Sequence, residues 1–218
     1  GNELTNQTFT ISITAIDDDT PTLSTNAGMT LNEGAIKSVS LELLEADDED
    51  TDNSTLTYIL TTAAANGQLE NTDNSGVAIT SFTQQHLIDG KIQYVHNDSN
   101  STSDSFGFKV ADGVGNELTN QTFTISITAI DDAPEISGTP DIEILEGNLY
   151  SFTPQASDLD EDPLTFIVSG LPAWLSFNEL TGKISGIPAY EHVGSYGPIT
   201  MSVSDDSLSA ALEPFFIE

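Results

Sequence analysis

Cysteine is absent from this chain, so neither a disulfide nor a thiolate metal site is available to hold it together. That absence leaves the compartment open, but an extracellular chain so composed must find its stability elsewhere. Bases are scarce too: four lysines and arginines stand against 35 acids, for a formal net charge of −31. Phosphate demands a basic surface, so nucleic acid is excluded as a plausible partner and an anionic membrane surface is disfavoured. Charge of one sign at this density repels itself, and a compact array built from it needs salt or bound cations. No apolar run approaches the roughly 18–20 residues of a membrane span. There is one tryptophan, Trp174, and the three histidines, His86, His96 and His192, lie too far apart for a zinc or nucleophile constellation. Phosphate-cradling glycine loops are missing as well.

What the chain has is a duplication. Gly1–Asp18 recurs as Gly115–Asp132, reading GNELTNQTFTISITAIDD both times. Identity over such a length is the mark of a tandem array, and the N-terminal residues open inside a repeat, which makes them silent on any leader segment. Within the copied stretch Phe9, Ile11, Ile13 and Ala15 alternate with Thr8, Thr10, Ser12 and Thr14, the period of a half-buried strand. Paired carboxylates follow, Asp17–Asp18 and Asp131–Asp132, then Pro21 or Pro134. A closing strand, an acidic hinge and a proline mark the seam between modules, with expected segments 1–18, 19–132 and 133–218.

Between the seams the pattern is short strands and turns. Met29 and Leu31 alternate before Glu33-Gly34, and Val39, Leu41 and Leu43 alternate with Ser38, Ser40 and Glu42, predicting a strand. An acidic turn over 47–52 precedes Leu56, Tyr58 and Leu60 on one face. Asn66-Gly67 is a turn signal, and Thr83–Gly90 has room for one helical turn before a strand at Ile92–Val95. Phe106, Phe108 and Val110 lead through Asp112-Gly113 to the duplicated strand. The second module repeats the plan in fewer residues: Ile142 and Ile144 before Glu146-Gly147, then Tyr150 and Phe152. An acidic turn over 158–162 follows, then Leu164, Phe166 and Val168, then Met201 and Val203 before Asp205, and a closing strand at Phe215–Ile217. Both modules thus share one order of acids: Glu-Gly, Asp-x-Asp, a late Asp, a strand. Seven or so short strands at this spacing predict an antiparallel sandwich in each.

Thr83-Gln84-Gln85, Gly90 to His96 and Asp104-Ser105-Phe106 through Asp112-Gly113 resemble the chondroitin sulfate proteoglycan (CSPG) repeat, over much of 19–132. Gly170-Leu171-Pro172-Ala173-Trp174-Leu175-Ser176-Phe177, with Thr181-Gly182 and Gly186-Ile187-Pro188, resembles the dystroglycan-type cadherin-like, or putative-Ig, module over 133–218. Both families are cadherin-like, so the resemblance implies an all-β fold of two Ig/cadherin-like antiparallel Greek-key β-sandwiches in series. Bacteria string such modules into large surface adhesins, and the resemblance implies a secreted or cell-surface, calcium-linked array of that kind.

Calcium takes six to eight hard oxygens, mostly carboxylates and carbonyls, which no single strand supplies and a seam can. Carried over from cadherins residue by residue, the resemblance implies Glu33, Asp131, Asp132, Asp158, Asp160 and Asp205 as ligands at the seam between the modules. For the upstream seam it implies Asp17, Asp18, Asp48, Asp50 and Asp112, and for a seam further on, Glu146. The cadherin Asp-x-Glu pair is missing; His96-Asn97-Asp98 lies near its place, with Asp98 the weakest of the candidates. The alternative is that the acidic turns are simply solvated.

The expected function is therefore mechanical and adhesive: a monomeric extender whose partners are neighbouring repeats of its own chain. A competing reading is a carbohydrate-binding module that takes extracellular polysaccharide on Trp174, Tyr190 and Tyr196, against which Trp174 also reads as a core residue between Pro172 and Leu175. Asp–Asp pairs serve as glycosidase acids elsewhere, but here they sit in turns and hinges, and no enzyme is expected.

Overall fold

The computed structural model describes residues 8–13 and 16–218, and the chain divides into two compact units, 1–129 and 130–218. In the first, β1 (Thr22–Asn26), β2 (Met29–Asn32), β3 (Ile36–Ser38), β4 (Leu44–Asp47), β5 (Thr57–Thr62), β6 (Gly67–Asn71) and β7 (Ser81–Thr83) precede a single helical turn, α1 (Gln84–Ile88). Then come β8 (Ile92–His96), β9 (Ser103–Ala111) and β10 (Glu117–Thr128). A five-stranded sheet, β2-β10-β9-β5-β7, and a three-stranded sheet, β3-β8-β6, contribute to one core, with β1 and β4 paired beside them. The expected alternation is what builds that core: Tyr58, Phe106, Phe108, Val110 and Phe123 are all fully buried. Their rings pack on one another, Phe106 stacking on Phe123 at 5.1 Å and Tyr58 on Phe82 at 4.9 Å.

Two polar side chains, one buried and one half-buried, tie the layers together. The Gln84 amide of α1 accepts from the Ala46 N–H (2.8 Å) and the Tyr58 hydroxyl (2.7 Å) and donates to the Ala46 carbonyl, satisfying the backbone of β4. Asp104 of β9 accepts from the amides of Ala65 and Asn66 and from the Tyr94 hydroxyl (2.7 Å), pinning the turn before β6.

Three expectations need correction or completion. Val39–Leu43 is not a strand but the turn between β3 and β4, in which the Leu43 and Leu44 amides bond back to the Ser40 carbonyl at 2.9 and 3.0 Å. Its apolar residues still face inward, Val39 fully buried, which is why alternation alone mimicked a strand. The β2–β10 pairing is parallel, Met29 opposite Ile125 and Leu31 opposite Ile127, whereas the other pairings in that sheet are antiparallel. The strand expected at Thr8–Ile16 lies partly outside the described residues, as do residues 1–7; the described residues 8–13 are unpaired and exposed. Phe9 is 85% exposed, whereas its copy Phe123 is 0% exposed between β9 and β2.

The second unit runs β11 (Glu135–Ser137), β12 (Tyr150–Phe152), β13 (Gln155–Ser157), β14 (Thr165–Ser169), β15 (Leu175–Phe177), β16 (Ile184–Gly186), β17 (Tyr196–Ser204), β18 (Ser209–Ala211) and β19 (Phe215–Ile217). β12-β16-β15 form one sheet, β14-β17-β18 a second with β19 also on β17, and β11 pairs with β13. Pro154, with no N–H to donate, separates β12 from β13, and the two take different partners. The core gathers Tyr150, Ile184, Ile199, Met201 and Ile217.

Candidate acidic cation sites

The first acidic turn is organised by its own backbone. Asp48 Oδ1 accepts from the amides of Asp50 (3.0 Å) and Thr51 (2.8 Å), while the Asp48 N–H donates to Asn53. The hinge folds onto this turn: the Asp18 N–H donates to Asp50 Oδ2 (3.4 Å) and the Thr51 hydroxyl to Asp17 Oδ2 (2.8 Å). Two carboxylate oxygens, Asp48 Oδ2 and Asp17 Oδ1, are left buried with no hydrogen-bond partner. Nearby, Asp18, Asp19 and Asp50 each place a carboxylate oxygen within 4.8 Å of the others.

The second unit repeats this wiring independently. Asp158 Oδ1 accepts from the amides of Asp160 (2.9 Å) and Asp162 (3.2 Å), and the Asp132 N–H donates to Asp160 Oδ2 at 2.7 Å. Asp132 thus stands to Asp160 as Asp18 stands to Asp50, the relation the duplicated hinge implies. Asp158 Oδ2 is buried without a partner, like Asp48 Oδ2. The late Asp205, 7% exposed, accepts from the Ser207 and Leu208 amides through Oδ1, and its Oδ2 is buried without a partner too.

Such oxygens are costly. A buried polar group without a hydrogen bond forfeits about 1–3 kcal/mol, and more when charged. The bases do not answer them: the ion pairs among the described residues are Lys91–Asp73 and Lys109–Glu117, neither in a cluster. Crowding shows in the proton affinities. Burial, then the charges of Asp50, Glu49 and Asp18, pushes the Asp19 carboxyl above its ordinary range. Burial, then Asp158, Asp131, Asp160 and Asp205, does the same to Asp162. All-oxygen donors, partnerless buried carboxylate oxygens and mutual repulsion are the chemistry of a hard divalent cation, and the residues present fit calcium.

The other candidates divide. Glu33 is buried at the turn after β2, its amide donating to the Thr128 carbonyl at 2.9 Å. Asp112 is occupied within its own loop, accepting from the amides of Val114, Gly115 and Asn116 and from the Asn116 side chain. Burial alone would raise its proton affinity; those bonds together hold it below the usual range. Asp131 is exposed, as is Glu146 in the turn where the Gly147 amide bonds to the Pro188 carbonyl. The sequence reading passed over Asp19 and Asp162. The signal for Asp19 was the third consecutive aspartate of Asp17–Asp19, found in the first copy alone, since alanine follows the second.

Trp174 is half-buried, edge-on to Tyr150 (6.2 Å) and Tyr196 (6.1 Å), and it packs on the second core. The cavity beside it, about 190 Å³ and walled by Ile144, Leu145, Pro188 and Val193 among others, is below the roughly 300 Å³ at which ligand pockets begin.

Residues 21–128 match the family described as Cadherin-like, and residues 133–216 the family described as Putative Ig domain. Extracellular matrix protein 3 of Lytechinus variegatus is 33% identical over 177 residues, covering 78% of this chain and 6% of that protein. Extracellular matrix organizing protein FRAS1 of Homo sapiens is 34% identical over 166 residues, 74% of this chain and 4% of that protein. Among solved structures, human protocadherin-24 EC1-2 overlaps with a TM-score of 0.48 at 14% identity, over 92% of this chain and 97% of that one. The chain thus spans a small fraction of its curated relatives' length. Both of those relatives are animal matrix proteins, so the expectation of a bacterial adhesin finds no support in them. In the described residues no helix is long and apolar enough to cross a membrane. The chain carries a cadherin-like domain and a putative Ig domain in tandem, homologous to those of the FRAS1-type extracellular matrix proteins.

Proposed function

We propose that this chain is a calcium-stiffened extension segment of an extracellular array, with adhesion to matrix or polysaccharide carried by the assembly of which it is part. The observation behind this reading is the twin wiring: two modules of different sequence each fold a hinge aspartate onto an Asp-x-Asp turn and leave a buried carboxylate oxygen without a partner. In the first module Asp17, Asp18, Asp48 and Asp50, with Asp19, would hold the ion. In the second Asp131, Asp132, Asp158, Asp160 and Asp205 would do so, and Glu33 is a further candidate ligand carried by the first module. With segments 1–18, 19–132 and 133–218 as the mechanical units, an ion held at each acidic hinge stiffens the link it sits on. The partners are then neighbouring repeats of the same chain, and no catalytic step is assigned.

Isothermal titration of the metal-stripped chain with calcium tests the reading. Saturable binding is expected, with magnesium a poor substitute because it keeps its waters and requires an octahedron. In a variant carrying Asp158→Ala and Asp205→Ala, one class of sites should vanish and the other persist. Heats that magnesium or matched sodium chloride reproduces would leave the acids as solvated surface.

A further inference from the structure

We infer that His96 is a positioning residue for Glu33, a role that rests on the calcium reading above. His96 ends β8 and is 4% exposed. Its Nδ1 accepts from two backbone amides, Gly34 at 3.0 Å and Asp98 at 3.2 Å. A nitrogen that accepts from two N–H groups carries no proton of its own, so Nε2 bears it and donates to the Ser101 hydroxyl at 2.9 Å. One imidazole therefore stitches the Glu33-Gly34 turn to the 97–101 loop. The backbone leaves little slack: Gly34 and Asp98 both sit in the left-handed region, φ 64° and 63°. A Cβ on Gly34 would collide with Asp98 Oδ1.

The second module shows that this is a particular device. There the amide of the matching glycine, Gly147, bonds to a main-chain carbonyl, that of Pro188, and the preceding Glu146 is exposed. In the first module the acceptor is a side chain and Glu33 is buried. The place where the cadherin pattern puts a second pair of ligands is thus occupied by a residue that holds the first ligand still. A carboxylate binds an ion well only when its direction is set beforehand, and the groups that set it are worth about 10–100-fold in affinity.

The test compares two substitutions of similar size by calcium titration of the whole chain. His96→Asn keeps an acceptor near the Nδ1 position and should bind calcium within about threefold of the wild type. His96→Gln moves its acceptor towards the Nε2 position and should weaken one class of sites by about 10–100-fold, leaving the other class unchanged. Glu33→Gln should weaken the same class, and adding His96→Gln to it should cost little more, because the two act on one ligand. Should His96→Gln unfold the first module, Ser101→Ala carries the comparison, with a smaller loss expected in the same sites. Equal affinity for the Gln variant and wild type, equal loss in the Asn and Gln variants, additive loss in the double variant, or no change in Ser101→Ala where that stands in, overturns the inference and leaves the calcium reading standing. No calcium uptake by the wild type overturns both.

Discussion

Asp158→Asn separates the cost of an empty acidic turn from the gain of a filled one. Asparagine keeps an oxygen where Asp158 Oδ1 accepts from the Asp160 and Asp162 amides. It places an amide donor where Oδ2 is buried without a partner. Without calcium the substitution removes one unsatisfied charged oxygen and supplies a hydrogen-bond donor, a relief of about 1–2 kcal/mol. For a domain of this size 1 kcal/mol is worth about 4–8 °C in Tm. With calcium the order reverses: extracellular sites of about 10⁻⁴–10⁻³ M affinity contribute about 0.4–1.4 kcal/mol each at 1 mM ion, and the variant loses that gain. Trp174 is the chain's one tryptophan and packs in the second core, so its fluorescence reports the melting of that module alone. The expected result is a raised Tm in chelator and a flat response to calcium, with Asp48→Asn leaving the tryptophan transition unmoved. A variant that melts below wild type in chelator would show that the Oδ2 oxygen is no burden, and one that calcium stabilises like wild type would remove Asp158 from the ligand set.

Other outcomes follow from the same structure. Burial alone would raise the Asp104 carboxyl, but the Tyr94 hydroxyl and the amides of Ala65, Ser105 and Asn66 together hold it below the usual range. Its stabilising share is therefore complete above the ordinary carboxylate pKa of about 3.9 and is lost as pH falls through the lowered value, so Asp104→Asn should flatten the acid limb of a stability-versus-pH curve. Asp19 and Asp162 move the opposite way; they weigh against the fold once ionised, and acidification through their raised values relieves that weight. Calcium should expel the protons these two carboxyls still hold in acidic solution, seen as a dependence of titration heat on buffer ionisation enthalpy, and a buffer-independent heat would count against proton linkage. Phe123→Ala should cost about 3–5 kcal/mol in urea unfolding, whereas Phe9→Ala, the same residue in the same local sequence, should leave the curve where it was.

That last pair shows how far local sequence reaches. Alternation located the buried faces of β9 and β10, where serine, glycine, lysine or threonine flanks each buried ring, and that of β5, where Leu56, Tyr58 and Leu60 recur at a spacing of two despite Ile59. It could not separate Phe9 from Phe123, since what differs is the pair of strands lying alongside. Alternation also overreached at Val39–Leu43, where inward-facing residues sit on a turn closed by the Ser40 carbonyl. Acid order in the chain pointed to the two turns but was blind to hydrogen-bond saturation: Asp112 and Asp205 hold matching places, and one is spoken for by Asn116 while the other keeps an oxygen without a partner. The duty of His96 was hidden for a similar reason, because its partners are main-chain amides that no side-chain motif encodes.

The Asp112 turn has a consequence for how such an array assembles. β10 has a twin in the same chain, and side-chain chemistry gives the β9 edge no means of preferring one over the other. The selection falls to chain geometry. Asp112 gathers the amides of Val114, Gly115 and Asn116 into a tight reversal, so the local twin closes a loop of a few residues while its rival must close one many times longer. Closure entropy scales as 1.5RT ln n, which puts the rival at a disadvantage of roughly 2 kcal/mol before any turn energy is counted. An aspartate whose oxygens are all engaged thus acts as a proofreader of strand exchange, and loosening that turn would let neighbouring repeats trade closing strands, the characteristic misfolding route of repetitive chains.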